Sequence, residues 1–155
     1  MAVVMLVIVA IPVRLGRPES GNETRAIGGL KLISAAEIAY SASCGNGGYA
    51  TSLDVLLAPA GSSQERLLSV EAVTGTGGSA ASYVFTLAFG LGSTAGPKDC
   101  MGRPTRTGYY ATAVPRVFGR TGSHAFAMNT EGVVWRVSAA SAPVEPFSAP
   151  ATPIR

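Results

Sequence analysis

A change of period divides this chain. From residue 22 to 43 apolar residues recur at helical spacing; beyond Gly48 they recur in short β-branched and aromatic runs cut by glycine and proline. One long helix followed by several short strands predicts an α+β fold, with the helix covering an antiparallel sheet. Asn22 or Ser20 can cap the helix, and Glu23 lies in its first turn, where the helix dipole favours an anion. Cys44 ends it, and Gly45, Asn46, Gly47 and Gly48 supply the left-handed conformations that stop a helix and turn the chain.

At 3.6 residues per turn, Leu32, Ala36, Ala39 and Tyr40 share one face of this helix. Ile27, Leu30 and Ile38 fall near the opposite side, among Glu23, Lys31, Ser34 and Glu37. The first strip can cover the domain's own sheet. The second would sit in water unless another helix covers it, so Ile27, Leu30 and Ile38 are expected to pack between subunits. A helical turn is expected over 49–57, then strands over 67–73, 83–89, 109–114, 125–128 and 133–137 in a sheet of roughly four strands. Asn129, Thr130, Glu131 and Gly132 make the clearest hairpin loop. From Ser138 onward the chain is Ala, Ser and Pro without apolar periodicity, which predicts a flexible tail over 138–155.

Residues 1–11 are all apolar, among them Val3, Val4, Leu6, Val7, Ile8 and Ile11, before Pro12 and the first charge at Arg14. That run is shorter than the roughly 20 residues needed to cross a bilayer and lacks the basic start and cleavage site of a secretory signal. It reads as half of a longer hydrophobic helix, so 1–21 is expected to be a truncated helix and a linker kinked at Pro18, with the head over 22–137. Only 14% of residues are charged, against roughly 25% in an ordinary soluble domain, which points to apolar surface meant for a membrane or a neighbouring subunit.

Catalytic patterns are not found. The single histidine, His124, has no Gly-x-Ser-x-Gly elbow to serve, and Cys44, Cys100 and His124 are too dispersed for a zinc site. Gly75-Thr76-Gly77-Gly78-Ser79-Ala80 runs into a strand pattern where a dinucleotide site needs a helix. No catalytic residue, metal, cofactor or small-molecule substrate is expected, and the chain reads as a structural protein rather than an enzyme. Lys98, Arg103, Arg106, Arg116, Arg120 and Arg136 outweigh Asp99 and Glu131 near Tyr109, Tyr110 and Trp135, so Arg103, Arg106 and Arg120 are candidate nucleic-acid contacts. Cys44 and Cys100, if bridged, would close a loop of 56 residues (100 minus 44); as reduced thiols they would be small core hydrophobes.

Three stretches resemble the type IV pilin and type II secretion pseudopilin family. These are Ala26-Ile27-Gly28-Gly29-Leu30-Lys31-Leu32-Ile33-Ser34-Ala35-Ala36-Glu37-Ile38-Ala39-Tyr40 with its exit Cys44-Gly45-Asn46-Gly47-Gly48-Tyr49-Ala50; Asp99-Cys100-Met101-Gly102 leading to Thr107-Gly108-Tyr109-Tyr110-Ala111-Thr112-Ala113; and Ala125-Phe126-Ala127-Met128-Asn129-Thr130-Glu131-Gly132-Val133-Val134-Trp135. The apolar N-terminal run is similar to the second half of the family's membrane helix, with Ile11-Pro12 at its proline. The family's leader, cleavage glycine and Phe-Thr-Leu-Ile-Glu opening have no counterpart here. The resemblance implies a pilin-like α+β head, a Cys44–Cys100 disulfide and self-assembly with other pilin-like subunits into a pilus or pseudopilus. It also implies contact of the apolar helix with the inner membrane, the head lying in the periplasm or in an extracellular filament. Two other readings are an anchored or secreted binding module, such as a DNA-capturing minor pilin, and a hydrolase.

Overall fold

The computed structural model describes residues 18–59, 65–74 and 82–154. Its first element within those residues is α1 (Pro18–Ala42). Residues 18–21, expected in a linker kinked at Pro18, are helical and belong to α1. At the other end Gly45 N–H donates to Tyr40 C=O at 2.7 Å and Gly47 N–H to Ser41 C=O at 2.9 Å. Asn46 and Gly47 sit at φ 51° and 89°, the left-handed turn that caps the last carbonyls.

Two short helices follow, α2 (Leu53–Leu57) and α3 (Val70–Thr74). The strand expected over 67–73 is thus a turn leading into α3. Ser69 Oγ accepts the Ala72 N–H at 3.2 Å, a local bond that starts a helix and outweighs the strand preference of Val70 and Val73.

Among the described residues five strands form an antiparallel meander in chain order: β1 (Tyr83–Phe89), β2 (Tyr109–Pro115), β3 (Ala125–Asn129), β4 (Trp135–Val137) and β5 (Thr152–Pro153). Among the described residues three helices on this sheet make a mixed α+β domain. Tyr109, Ala111 and Ala113 of β2 and Phe126 and Met128 of β3 form the buried face toward α1, where Ala26, Leu30, Ile33 and Tyr40 meet them. Gly29 allows α1 to approach β1 closely, since a Cβ there would lie 2.5 Å from the Phe85 ring.

The expected flexible tail is instead a strap across the sheet's other face, and it supplies β5. Phe147 stacks on Trp135 with centroids 5.4 Å apart and lies 6.3 Å from the Tyr110 ring. Glu145 accepts the Leu91 N–H at 2.6 Å and the Asn129 amide at 2.8 Å, and Ile154 N–H donates to Val134 C=O at 2.8 Å. Prolines lower the entropy the segment loses on docking, and a few anchors then suffice. Phe147→Ala is expected to cost about 2 kcal/mol. Its direct readout is fluorescence, because Trp135 is the single tryptophan: its emission should shift to the red, and unchanged emission would count against the strap.

The expected placement in the inner membrane is corrected. Among the described residues no helix is long and apolar enough to cross a membrane. α1 has the length, but Glu23, Arg25, Lys31 and Glu37 interrupt its hydropathy, and its buried stripe is spent on its own sheet. Val3, Val4, Leu6, Val7, Ile8 and Ile11 lie outside the described residues.

Candidate functional site

The buried stripe of α1 runs between the two strips expected from sequence. It takes Leu30 from one and Ala36 and Tyr40 from the other, and adds Ala26, Ile33 and Glu37. Leu30 is therefore no inter-subunit residue but part of the protein's own core, and Ile27 is half-buried against that core. Ile38 is exposed to 61%. Leu32, expected on the sheet side, is exposed to 52%. With exposed Ala35, Ala39 and Ala42 these two make a largely apolar outer face on α1, with Lys31 among them. Small residues between two large aliphatics form a surface that another helix can approach closely.

Where α1 ends, its last turns meet the loop before β2. Cys44 and Cys100 are bridged with Cα atoms 4.8 Å apart, and Cys100 N–H donates to Cys44 C=O at 2.7 Å. Beside the bridge Asp99 Oδ2 accepts the Tyr40 hydroxyl at 2.6 Å and Arg103 Nε at 2.7 Å. Its Oδ1 accepts the backbone N–H groups of Met101 at 2.9 Å and Arg103 at 2.7 Å. Burial pulls the Asp99 pKa upward, but the bonds from Tyr40, Arg103 and Met101 together outweigh it and hold it at about 2. Burial, then the bond to Asp99, pushes Tyr40 well above the usual phenol range. Asp99 thus organises this loop, with every oxygen engaged.

One turn before Tyr40 lies a residue that sequence reading placed on a polar face. Glu37 is completely buried, its Oε2 accepting the Ala50 N–H at 2.8 Å and its Oε1 lacking a protein partner. Desolvation raises its pKa to about 8, against the smaller lowering effect of the Ala50 bond, so it is mostly protonated at neutral pH. Its signal in the sequence was its spacing with Leu30, Ile33, Tyr40 and Cys44, a 3-4-3-4 series that continues the core stripe through an acidic residue.

The candidate nucleic-acid contacts do not converge. Arg103 is bound to Asp99, and the Arg106 guanidinium lies 4.0 Å over the Phe89 ring. Arg120 follows β2, whereas the other two precede it, so the seven-residue strand separates them by roughly 20 Å. His124 Nδ1 lies 3.1 and 3.2 Å from the Glu23 carboxylate oxygens, joining α1 to the start of β3. Glu131, Trp135, Glu145 and Phe147 help line a cleft of about 310 Å³ under the strap, where Glu145 is already engaged by Leu91 and Asn129. Among the described residues no three His, Cys, Asp or Glu side chains gather to hold a metal.

No family model, no curated protein and no solved structure matches this chain. The pilin resemblance thus rests on the sequence segments themselves.

Proposed function

We propose that the protein is a structural subunit of a type IV pilus or type II secretion pseudopilus that assembles by packing helix against helix. One observation carries the reading: α1 commits one face to its own sheet and leaves Leu32 and Ile38, 52% and 61% exposed, on an outer face of small residues. The occupant of that face would be a helix of a neighbouring copy. Burying it would be driven by the removal of apolar surface from water rather than by any directed chemistry. The run containing Val3, Val4, Leu6, Val7, Ile8 and Ile11, outside the described residues, is assigned to the same assembly.

The test is Leu32→Glu with Ile38→Glu. Each aliphatic side chain is worth roughly 1.5–3 kcal/mol on full burial, so association should weaken at least tenfold, read by sedimentation. Circular dichroism should stay unchanged, because neither side chain is in the core. Association as strong as the wild type's would remove the proposal.

A further inference from the structure

The sheet has two edges, and they differ. One is β5, two residues long and ending in Pro153, both of which discourage another strand from adding. The other is β1, seven residues with neither charge nor proline, and among the described residues no strand lies on its outer side. Val84 and Phe89 are 40% and 50% exposed, and Thr86 and Ala88 are exposed as well.

Backbone parity shows which groups face outward. Arg116 N–H donates to Ser82 C=O at 2.8 Å and Gly90 N–H to Gly108 C=O at 3.3 Å, in the register that sets Thr86 opposite Thr112. In an antiparallel ladder this makes the even-numbered residues of β1 the ones that bond to β2. Phe85, Leu87 and Phe89 therefore direct their backbone N–H and C=O groups away from it. A second strand related by a two-fold axis must match such residues with each other, so the axis has to pass through a residue rather than between two. Thr86, the middle of β1, is the choice that engages the whole strand.

About that axis the strand complements itself. Phe85 comes opposite Leu87, Val84 opposite Ala88, and Thr86 opposite Thr86, which sets apolar against apolar and no like charges together. Phe85 and Leu87 carry outward backbone groups, so each of their pairs can exchange two hydrogen bonds. We propose that β1 pairs antiparallel with β1 of a second copy about a two-fold axis at Thr86, joining two five-stranded sheets into one. Such a contact uses the same patch twice and closes at two copies, so it pairs subunits side by side and is independent of the α1 surface.

The experiment is disulfide trapping. The chain's two cysteines are already bridged to each other, so Thr86→Cys adds the single free thiol. The proposed register sets the two Thr86 Cα atoms about 4.5 Å apart, within the range a disulfide spans. Mild oxidation should yield a covalent dimer. Val84→Cys alone should bridge at least tenfold more slowly, because its own copy lies about 13 Å away along the strands. A mixture of Val84→Cys and Ala88→Cys should give the covalent heterodimer. Thr86→Lys, which brings like charges together at the closest pair, should weaken the wild-type dimer at least tenfold in sedimentation. Bridging of Thr86→Cys no faster than Val84→Cys would overturn the proposal. So would a dimer that survives Thr86→Lys but is lost in the Leu32→Glu, Ile38→Glu protein, since that contact would belong to α1.

Discussion

Removing the Cys44–Cys100 bridge by the double substitution Cys44→Ala, Cys100→Ala is expected to cost about 4 kcal/mol, the loop-closure entropy returned to the unfolded chain by a separation of 56 residues. Net stability in a domain of this size is about 5–15 kcal/mol, so the loss is a large share of it. The closed loop contains α2, α3 and β1, and the bridge ties the end of α1 to the loop in which Asp99 holds Tyr40 and Arg103. Urea unfolding should report it as a midpoint lowered by about 2 M, taking an ordinary slope for a small domain. A midpoint within about 0.5 M of the wild type would mean that the loop is held by Asp99 and its hydrogen bonds alone. Cys44 is 4% exposed and packs in the core, so alanine is the replacement that best preserves its surroundings.

β1 to β4 were readable in the chain because their runs are short, β-branched or aromatic, and bounded by glycine or proline. The end of α1 was readable because Asn46 and Gly47 announce a left-handed turn. The rotation of α1 was not. Its face is built largely of alanines, which suit either side of a helix, and Glu37 carries the mark of a surface residue while occupying a core position. Counting apolar residues therefore split one buried stripe into two and assigned Leu30 to a surface. The strap escaped for another reason: its anchors, Pro143, Glu145, Phe147 and Ile154, follow no helical or strand period and find partners on distant elements. Asp99 looked like one isolated acid, and nothing local shows that Tyr40, 59 residues away, donates to it. The disulfide followed from the family resemblance rather than from the cysteine count, which alone left reduced thiols open.

The Glu37→Gln protein is expected to be less stable than the wild type near pH 5 and more stable above about pH 8, the two curves crossing between. Burial raises the folded-state pKa of Glu37 from 4.5 to about 8, so between those values the folded chain binds more protons than the unfolded chain. Stability from this group is then fully present below about pH 4.5 and falls as pH rises, by up to about 1.4 kcal/mol per unit. It is lost once pH passes about 8, for a total of several kcal/mol. Asp99 has the opposite sign. Held at about 2 against 3.8, it stabilises the fold above pH 3.8 and ceases to do so as pH falls through 2. Together the two groups set the stability maximum near pH 4–5, more acid than the usual range of about pH 5–8. Glutamine keeps an oxygen for the Ala50 N–H but places its amide where Glu37 Oε1 has no protein partner, at a cost of about 1–3 kcal/mol at every pH. Near pH 5 that cost is the larger of the two effects; at pH 8.5 the ionisation it avoids is larger. Urea denaturation of both proteins at pH 5, 7 and 8.5 measures the difference, and parallel curves would show that Glu37 is ionised in the fold and that its buried environment solvates the charge.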